Sequence, residues 1–141
     1  MSDLEKSKQL LLSGGYTCVL CKNDLIYTSF ERGVKPLVAW LESNKDLRTF
    51  SASDKVIGKG AAFLYVMLEV CAVYAKVIST PALNLLNKHG ILVEYDTEVG
   101  SITNRKGDGM CPFELTVLHI EDTEAAYKAI RNKMKEMNIY L

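Results

Sequence analysis

The sequence predicts an α/β fold built on one mixed sheet, in which an antiparallel hairpin is followed by parallel strands. Two β-rich runs within residues 16–30 are joined by turn-forming residues at hairpin spacing, and helix-like and strand-like segments alternate from residue 58 onward. Such alternation favours right-handed crossovers, which place successive strands parallel in one sheet. We therefore expect strands near 72–79 and 91–96 to lie parallel.

The first third of the chain predicts a helix, a hairpin and a second helix. Asp3 is suited to cap the first helix, and Gly14-Gly15 stops it. The hairpin joins strands at 16–21 and 24–30. A helix over 34–43 carries an apolar stripe, which suits a position against the sheet.

The middle of the chain is its most apolar part. A helix is predicted over 58–70, and the β-branched run at 71–79 is typical of an interior strand. Thr80 as N-cap and Pro81 at the first helical position then begin another helix, which ends before a strand at 91–95.

The last third predicts a long polar loop between two helix starts. The loop spans 99–110, Cys111-Pro112 begins a short helix, and Asp122 opens an amphipathic final helix. Loops of this length in compact domains are often functional, and a plain surface connection is the alternative.

Composition and charge restrict the classes of protein. The chain has 141 residues, 48% hydrophobic and 24% charged, which predicts a single domain over 1–141 that needs no disulfide or metal for its core. Seventeen basic and seventeen acidic residues cancel, so the basic excess of a nucleic-acid binder is missing. With no signal segment and no apolar run of bilayer length, we expect a cytoplasmic protein without membrane contacts.

The cysteines and histidines do not predict a metal site. Cys18 and Cys21 lie in a β-like run, where residues three apart point to opposite faces. Neither His89 nor His119 has a ligand spacing. Because no secretion signal is seen and the expected compartment is reducing, all four cysteines are predicted to be free thiols, with Cys71 as small core filler.

Three polar clusters compete as functional sites, and they lie at 54–62, 79–81 and 104–112. Two of them coincide with helix N-termini, where unpaired N–H groups and the helix dipole favour a carboxylate or phosphate. Lys59 would add charge. In the alternative interpretation, the glycines near it serve close helix packing and Lys59 is solvated. Cys111 at a helix start is a candidate nucleophile because that position lowers the pKa of a thiol.

Two sets of residues carry a resemblance to a known family. They are Asp54-Lys55-Val56-Ile57-Gly58-Lys59-Gly60-Ala61-Ala62 and Asn104-Arg105, Gly107, Gly109, Cys111-Pro112 and Glu114. Together with the element order over 3–137, they resemble a small bacterial family of unknown function within the cytidine-deaminase-like superfamily. The resemblance implies that superfamily's fold, a three-layer α/β/α sandwich with a mixed sheet.

The resemblance also implies that the zinc site of the superfamily is missing. Zinc deaminases carry His-x-Glu or Cys-x-Glu at one helix start and Pro-Cys-x-x-Cys at the next. In the match, Ile57 stands at the metal ligand and Lys59 at the Glu, while Ala82 and Leu85 replace both cysteines. We therefore expect no metal, no cofactor and no hydrolytic deamination.

What remains of that site is a hollow where the two inner helices begin. We expect a small anionic or nucleotide-like ligand there. One-carbon transfer is an analogy with the similar, zinc-free formyltransferase domain of purine biosynthesis. The alternative is a non-catalytic regulatory or assembly module whose apolar helices make oligomer contacts, and the resemblance implies a homo-oligomer. The catalytic candidates are Lys59, Asp54 and Cys111, and the ligand-binding candidates are Gly58, Gly60, Ser79, Thr80, Asn104 and Arg105.

Overall fold

The structure, a computed structural model, describes all 141 residues and contains five strands and six helices. The strands are β1 (Cys18–Lys22), β2 (Leu25–Ser29), β3 (Ser51–Ile57), β4 (Ala72–Ser79) and β5 (Leu92–Val99). The helices are α1 (Asp3–Gly14), α2 (Lys35–Glu42), α3 (Lys59–Leu68), α4 (Thr80–Lys88), α5 (Pro112–Val117) and α6 (Thr123–Glu136).

The strands form one mixed sheet in the order β2-β1-β3-β4-β5. The hairpin strand β1 pairs antiparallel with both β2 and β3, whereas β3, β4 and β5 are parallel. The predicted α/β class, the mixed sheet and the parallel pairing of the two later strands are confirmed.

Helices cover both faces of the sheet, which gives three layers. On one face α1 packs over a small core of Leu11, Val19, Cys21 and Tyr74. The other five helices share a core of 28 buried residues with the opposite face, and that core includes Cys18. Cys18 and Cys21 therefore point to opposite faces, as their spacing predicts.

The central helix α3 is buried along almost its whole length, and it positions the site. It begins two residues after β3 ends, and α4 begins directly after β4. Because β3 and β4 are parallel neighbours, these two short connections bring both helix N-termini to the same edge of the sheet.

Strand β3 was not predicted, because its sequence is polar at three of the four positions from Ser51 to Asp54. Those polar residues are nevertheless buried, and their partners are distant in sequence. The Ser53 hydroxyl lies 2.7 Å from that of Ser7 in α1, and Tyr65 of α3 donates to the Asp54 carboxyl at 2.7 Å. Burial is possible because these hydrogen bonds replace water.

Three local predictions were wrong in detail. Ser2 rather than Asp3 caps α1, and Ser79 rather than Thr80 caps α4, each by accepting from a backbone N–H. Cys71 is exposed instead of filling the core, because it lies in the bend that precedes the N-terminal end of β4, where its thiol donates to the Thr49 carbonyl at 3.2 Å.

None of the six helices has both the length and the apolar character that crossing a bilayer requires.

Candidate functional site

The N-termini of α3 and α4 meet at one point inside the protein. Gly58, the N-cap of α3, has no side chain with which to accept from the first N–H groups of the helix. Those groups therefore need an acceptor from elsewhere in the fold. Ser79, the N-cap of α4, accepts from Ala82 N–H at 3.3 Å and keeps its own hydroxyl proton free to donate.

The acceptor at this point is the carboxylate of Glu114 from α5. This side chain is 1% exposed. Its Oε2 accepts from Lys59 N–H and from Ser79 Oγ, both at 2.6 Å, and its Oε1 accepts from Ile102 N–H at 2.6 Å. The fold thus places an anion between the two helix starts, and that anion belongs to the chain itself.

The glycines around α3 are required by close approaches. A Cβ on Gly58 would lie 3.0 Å from Glu114 Oε2 and 3.1 Å from Ile102 Cγ1. A Cβ on Gly60 would lie 3.1 Å from the Phe113 carbonyl oxygen. Gly58 therefore admits the carboxylate, and Gly60 admits the backbone of α5.

Lys59 is buried rather than solvated, with a side chain that is 7% exposed. Its Nζ donates to the carbonyl of Leu118 at 2.8 Å, and it lies 3.5 Å from Glu121 Oε1. The ammonium also stands 5.7 Å from the centre of the Phe63 ring. A buried cation with one short hydrogen bond has donors left for another acceptor.

A groove of about 430 Å³ opens beside Lys59. One wall carries Lys59 and Glu121, and the other is a face of α4. The remaining lining includes Gly100 just after β5. The groove is lined by eight residues in all: Lys59, Thr80, Pro81, Asn84, Leu85, Lys88, Gly100 and Glu121. Each wall of the groove carries one lysine, Lys59 on the first and Lys88 on the face of α4.

Asp54 lies outside this site. Its carboxyl accepts from Tyr65 on the β1 side of α3, and the Tyr65 oxygen lies 3.1 Å from Cys18 Sγ. No hydrogen bond or ion pair joins it to Lys59, Ser79 or Glu114. Burial raises the pKa of Asp54 to about 7, against the opposing effect of its hydrogen bonds.

The predicted loop residues lie apart from the groove lining. Asn104 Oδ1 accepts from the N–H groups of Gly107 and Asp108 at 2.8 and 3.2 Å, which shapes the turn, and Arg105 is exposed and unpaired. Cys111 is half-buried at the start of α5, which has six residues. Of the other candidates, Thr80 lines the groove and donates to Glu98 at 2.7 Å.

The residues present do not fit a zinc ion. Ala82 and Leu85, which the sequence resemblance matches with the zinc-binding cysteines of deaminases, are buried and apolar. No group of three or more His, Cys, Asp or Glu side chains is arranged to hold a metal. The space between the helix starts is occupied by a carboxylate that already has three donors.

Glu114 was quoted in the sequence resemblance but was not predicted as a site residue. A single glutamate in the first turn of a short helix is ordinarily explained by the helix dipole. The available signal was the absence of any capping side chain at Gly58, which requires an acceptor from another element.

Comparisons with known proteins identify the family and the fold of the chain. Residues 6–134 match the model of a family described as a domain of unknown function, DUF1893. The crystal structure of TM1506, a DUF1893 family protein from Thermotoga maritima, superposes with a TM-score of 0.85 at 29% identity, covering 94% of this chain and 91% of that one.

A more distant structure shows the fold class. Apo dCMP deaminase from the cyanophage S-TIM5 superposes with a TM-score of 0.50 at 14% identity, over 67% of this chain and 99% of that one. At this identity the likeness concerns the fold alone, which is deaminase-like. No curated protein matches the chain.

Proposed function

The chain belongs to the DUF1893 family, a domain of unknown function, and from that premise we propose that it binds a small anionic or nucleotide-like molecule in the groove beside Lys59. The helix-start hollow itself is not the binding position in this proposal, because Glu114 fills it. The ligand lies next to it, between α4 and the connection from α5 to α6.

The observation that carries the proposal is that the Lys59 ammonium is buried and only partly paired. It lines the groove, it is almost wholly buried, and the only carboxylate within ion-pairing distance of it belongs to Glu121, which is 70% exposed. A buried charge is costly unless it is paired. An anion in the groove would complete the pairing of Lys59 while remaining open to solvent on its other side.

The opposite wall supplies further donors for such a ligand. Pro81, Asn84, Leu85 and Lys88 recur at helical spacing on one face of α4. Asn84 and Lys88 are exposed there, and their side chains make no hydrogen bond or ion pair within the chain. Charge on both walls favours a compact anionic head group, and the Asn84 amide favours an adjoining hydrogen-bonding moiety such as a base or an amide.

A transfer reaction is the finer part of the proposal. In a one-carbon transfer, Lys59 would stabilise developing negative charge or donate a proton to the reacting group. This role rests on the analogy of fold. Asp54, Cys111, Asn104 and Arg105 have no part in it, since none of them lines the groove.

The test is calorimetric titration with AMP and with inorganic phosphate. Lys59→Met and Lys88→Met should each weaken binding at least tenfold, and Lys128→Met, an exposed lysine outside the groove, should bind as the wild type does. Lys88→Met is the more informative variant, because the exposed Lys88 side chain makes no hydrogen bond or ion pair whose loss would destabilise the fold. Equal binding by all four proteins, or by none of them, would refute the proposal.

The second candidate is assembly. The apolar helix α3 is buried within the monomer and offers no contact surface, but the edge strand β2 exposes Leu25 (54%), and Phe30 just after it is 68% exposed. An unpaired antiparallel edge can join its own copy about a twofold axis.

Light scattering should then find a dimer. Leu25→Lys should dissociate it, and Leu115→Lys, at a similarly exposed site elsewhere, should not. A monomeric wild type would exclude this candidate.

A further inference from the structure

The ion pair between Lys59 and Glu121 has one fixed and one movable partner. Lys59 is held by the Leu118 carbonyl and by burial against Phe63, whereas Glu121 makes no contact within hydrogen-bonding or ion-pairing distance other than the one to Lys59. Glu121 lies in the connection between α5 and α6, directly before the α6 N-cap Asp122. Any opening of the pair therefore moves Glu121 and leaves Lys59 in place.

We propose that Glu121 is an internal competitor that occupies the anion position at Lys59 until a ligand displaces it. This inference rests on the proposed binding function and adds its regulation. Both side chains line the same groove, so an anionic group that approaches Lys59 must take the place of the Glu121 carboxylate or share the ammonium with it.

The geometry of the Lys59–Glu121 ion pair limits how much Glu121 can weaken the binding of a ligand. At 3.5 Å, with a partner that is 70% exposed, the pair is long and solvent-screened, and such pairs are weak. A weak internal competitor reduces affinity without blocking the site. Removing it should tighten the binding of a small anion by about two- to fivefold.

The competition also predicts which anions bind well. Glu121 stays tethered within reach after it is displaced, so a ligand with a single weak charge gains little over the internal carboxylate. A phosphate group offers more charge and more acceptor oxygens, and Lys88 in the lining of the same groove adds a second positive charge. We therefore expect phosphate to compete more strongly than acetate.

The experiment compares inorganic phosphate and acetate binding to the wild type, Glu121→Gln and Glu124→Gln. Glu124 is an exposed glutamate in the first turn of α6 that makes no ion pair, so its variant controls for the loss of one negative charge nearby. Glu121→Gln should bind phosphate about two- to fivefold more tightly, and Glu124→Gln should change affinity less than twofold. Phosphate should bind the wild type more tightly than acetate does.

A double variant separates the two proposals. In the Lys59→Met background, Glu121→Gln should no longer increase affinity, because the competitor has lost its target. Chemical shifts of the Glu121 side-chain carboxyl should also move as phosphate saturates the wild type. If phosphate binds through Lys59 but Glu121→Gln and Glu124→Gln behave alike, the competition is refuted and the binding function stands. If no variant binds phosphate or AMP, both fail.

Discussion

Glu114 shows how a single side chain can complete a site that its fold leaves open. Its two carboxylate oxygens accept three hydrogen bonds from two backbone N–H groups and one hydroxyl. Hydrogen bonds to an ionised acceptor are roughly twice as strong as neutral ones, and the N-termini of α3 and α4 add favourable dipole charge. The carboxylate thereby joins α5 to both inner helices.

Removing the Glu114 carboxylate is expected to cost about 3 kcal/mol of unfolding free energy, because two buried donors and one partly buried donor lose their acceptor. Glu114→Ala should show this loss in urea unfolding, and Glu114→Gln should lose less, since its amide oxygen can still accept. Glu124→Ala, at an exposed position, is the control. If 100 mM formate or acetate occupies the vacated space, it should restore part of the stability of Glu114→Ala and none to the control. A loss below about 0.5 kcal/mol would mean that Glu114 is not needed to join the helices.

The pKa of Asp54 predicts how stability depends on pH. The pKa is about 7 in the folded protein and about 3.9 in an unfolded chain, so the folded state holds the proton more tightly. Stability from this group is therefore complete below about pH 4 and is lost as pH rises towards 7, by up to about 4 kcal/mol.

Asp54→Asn should remove this dependence, because the amide stays neutral and can still accept from Tyr65. Urea unfolding at pH 5 and pH 8 should show a smaller difference for Asp54→Asn than for the wild type. Asp24→Asn, in the exposed hairpin turn, should leave the wild-type difference unchanged. An unchanged difference in Asp54→Asn would show that Asp54 is already ionised at pH 5.

At the level of elements, the packing of α5 against α3 depends on Gly60. Alanine is favoured over glycine within a helix by about 1 kcal/mol, which alone would make Gly60→Ala stabilising. Its Cβ, however, would lie 3.1 Å from the Phe113 carbonyl oxygen and 3.3 Å from Phe113 Cβ. Since that carbonyl belongs to the backbone of α5, relief requires α5 and its Glu114 to shift.

We therefore expect Gly60→Ala to destabilise the protein by about 1–3 kcal/mol, as overpacking does elsewhere. Thermal unfolding would measure it. Gly100→Ala is the matched control, because a Cβ there has no neighbour within 4 Å. A Gly60→Ala variant as stable as the wild type would show that α5 can move without cost.

The elements that local pattern determines were predictable, and those that depend on distant partners were not. Helix α1, the hairpin and strand β4 follow from periodicity, turn residues and β-branched content. Strand β3 has buried Ser53 and Asp54, whose partners Ser7 and Tyr65 lie 46 and 11 residues away. No rule based on local sequence predicts an interior strand from a run of polar residues.

The candidate site divides in the same way. Gly58, Lys59 and Ser79 were found because a glycine-rich helix start and a Ser-Thr-Pro start are visible in the sequence. Asp54 was included because it is near Lys59 along the chain, yet β3 directs it towards Tyr65. Glu121 was missed because it reaches Lys59 only through the turn between α5 and α6.

For the whole molecule, the division into two cores predicts two levels of stability. The core beneath α1 contains four buried residues, whereas the core on the opposite face contains 28. A helix that covers so small a core can detach without unfolding the rest. The four cysteines lie at different depths and can report this.

The expected order of thiol labelling under native conditions follows from these depths. Cys71 is exposed and should react first, followed by half-buried Cys111. Cys21 should react next, through detachment of α1, and Cys18 only on global unfolding. Burial also raises the pKa of both Cys18 and Cys21, which lowers their thiolate fraction further.

Mass spectrometry of peptides after timed exposure to an alkylating reagent would give the four rates. Leu11→Ala removes packing between α1 and the sheet, so it should increase the labelling rate of Cys21 more than that of Cys18. Leu37→Ala in α2 is the matched variant for the large core. Because it lowers global stability, it should increase the labelling rates of both Cys18 and Cys21. If Leu11→Ala accelerates Cys18 and Cys21 equally, α1 unfolds only with the whole domain, and the two cores form one cooperative unit.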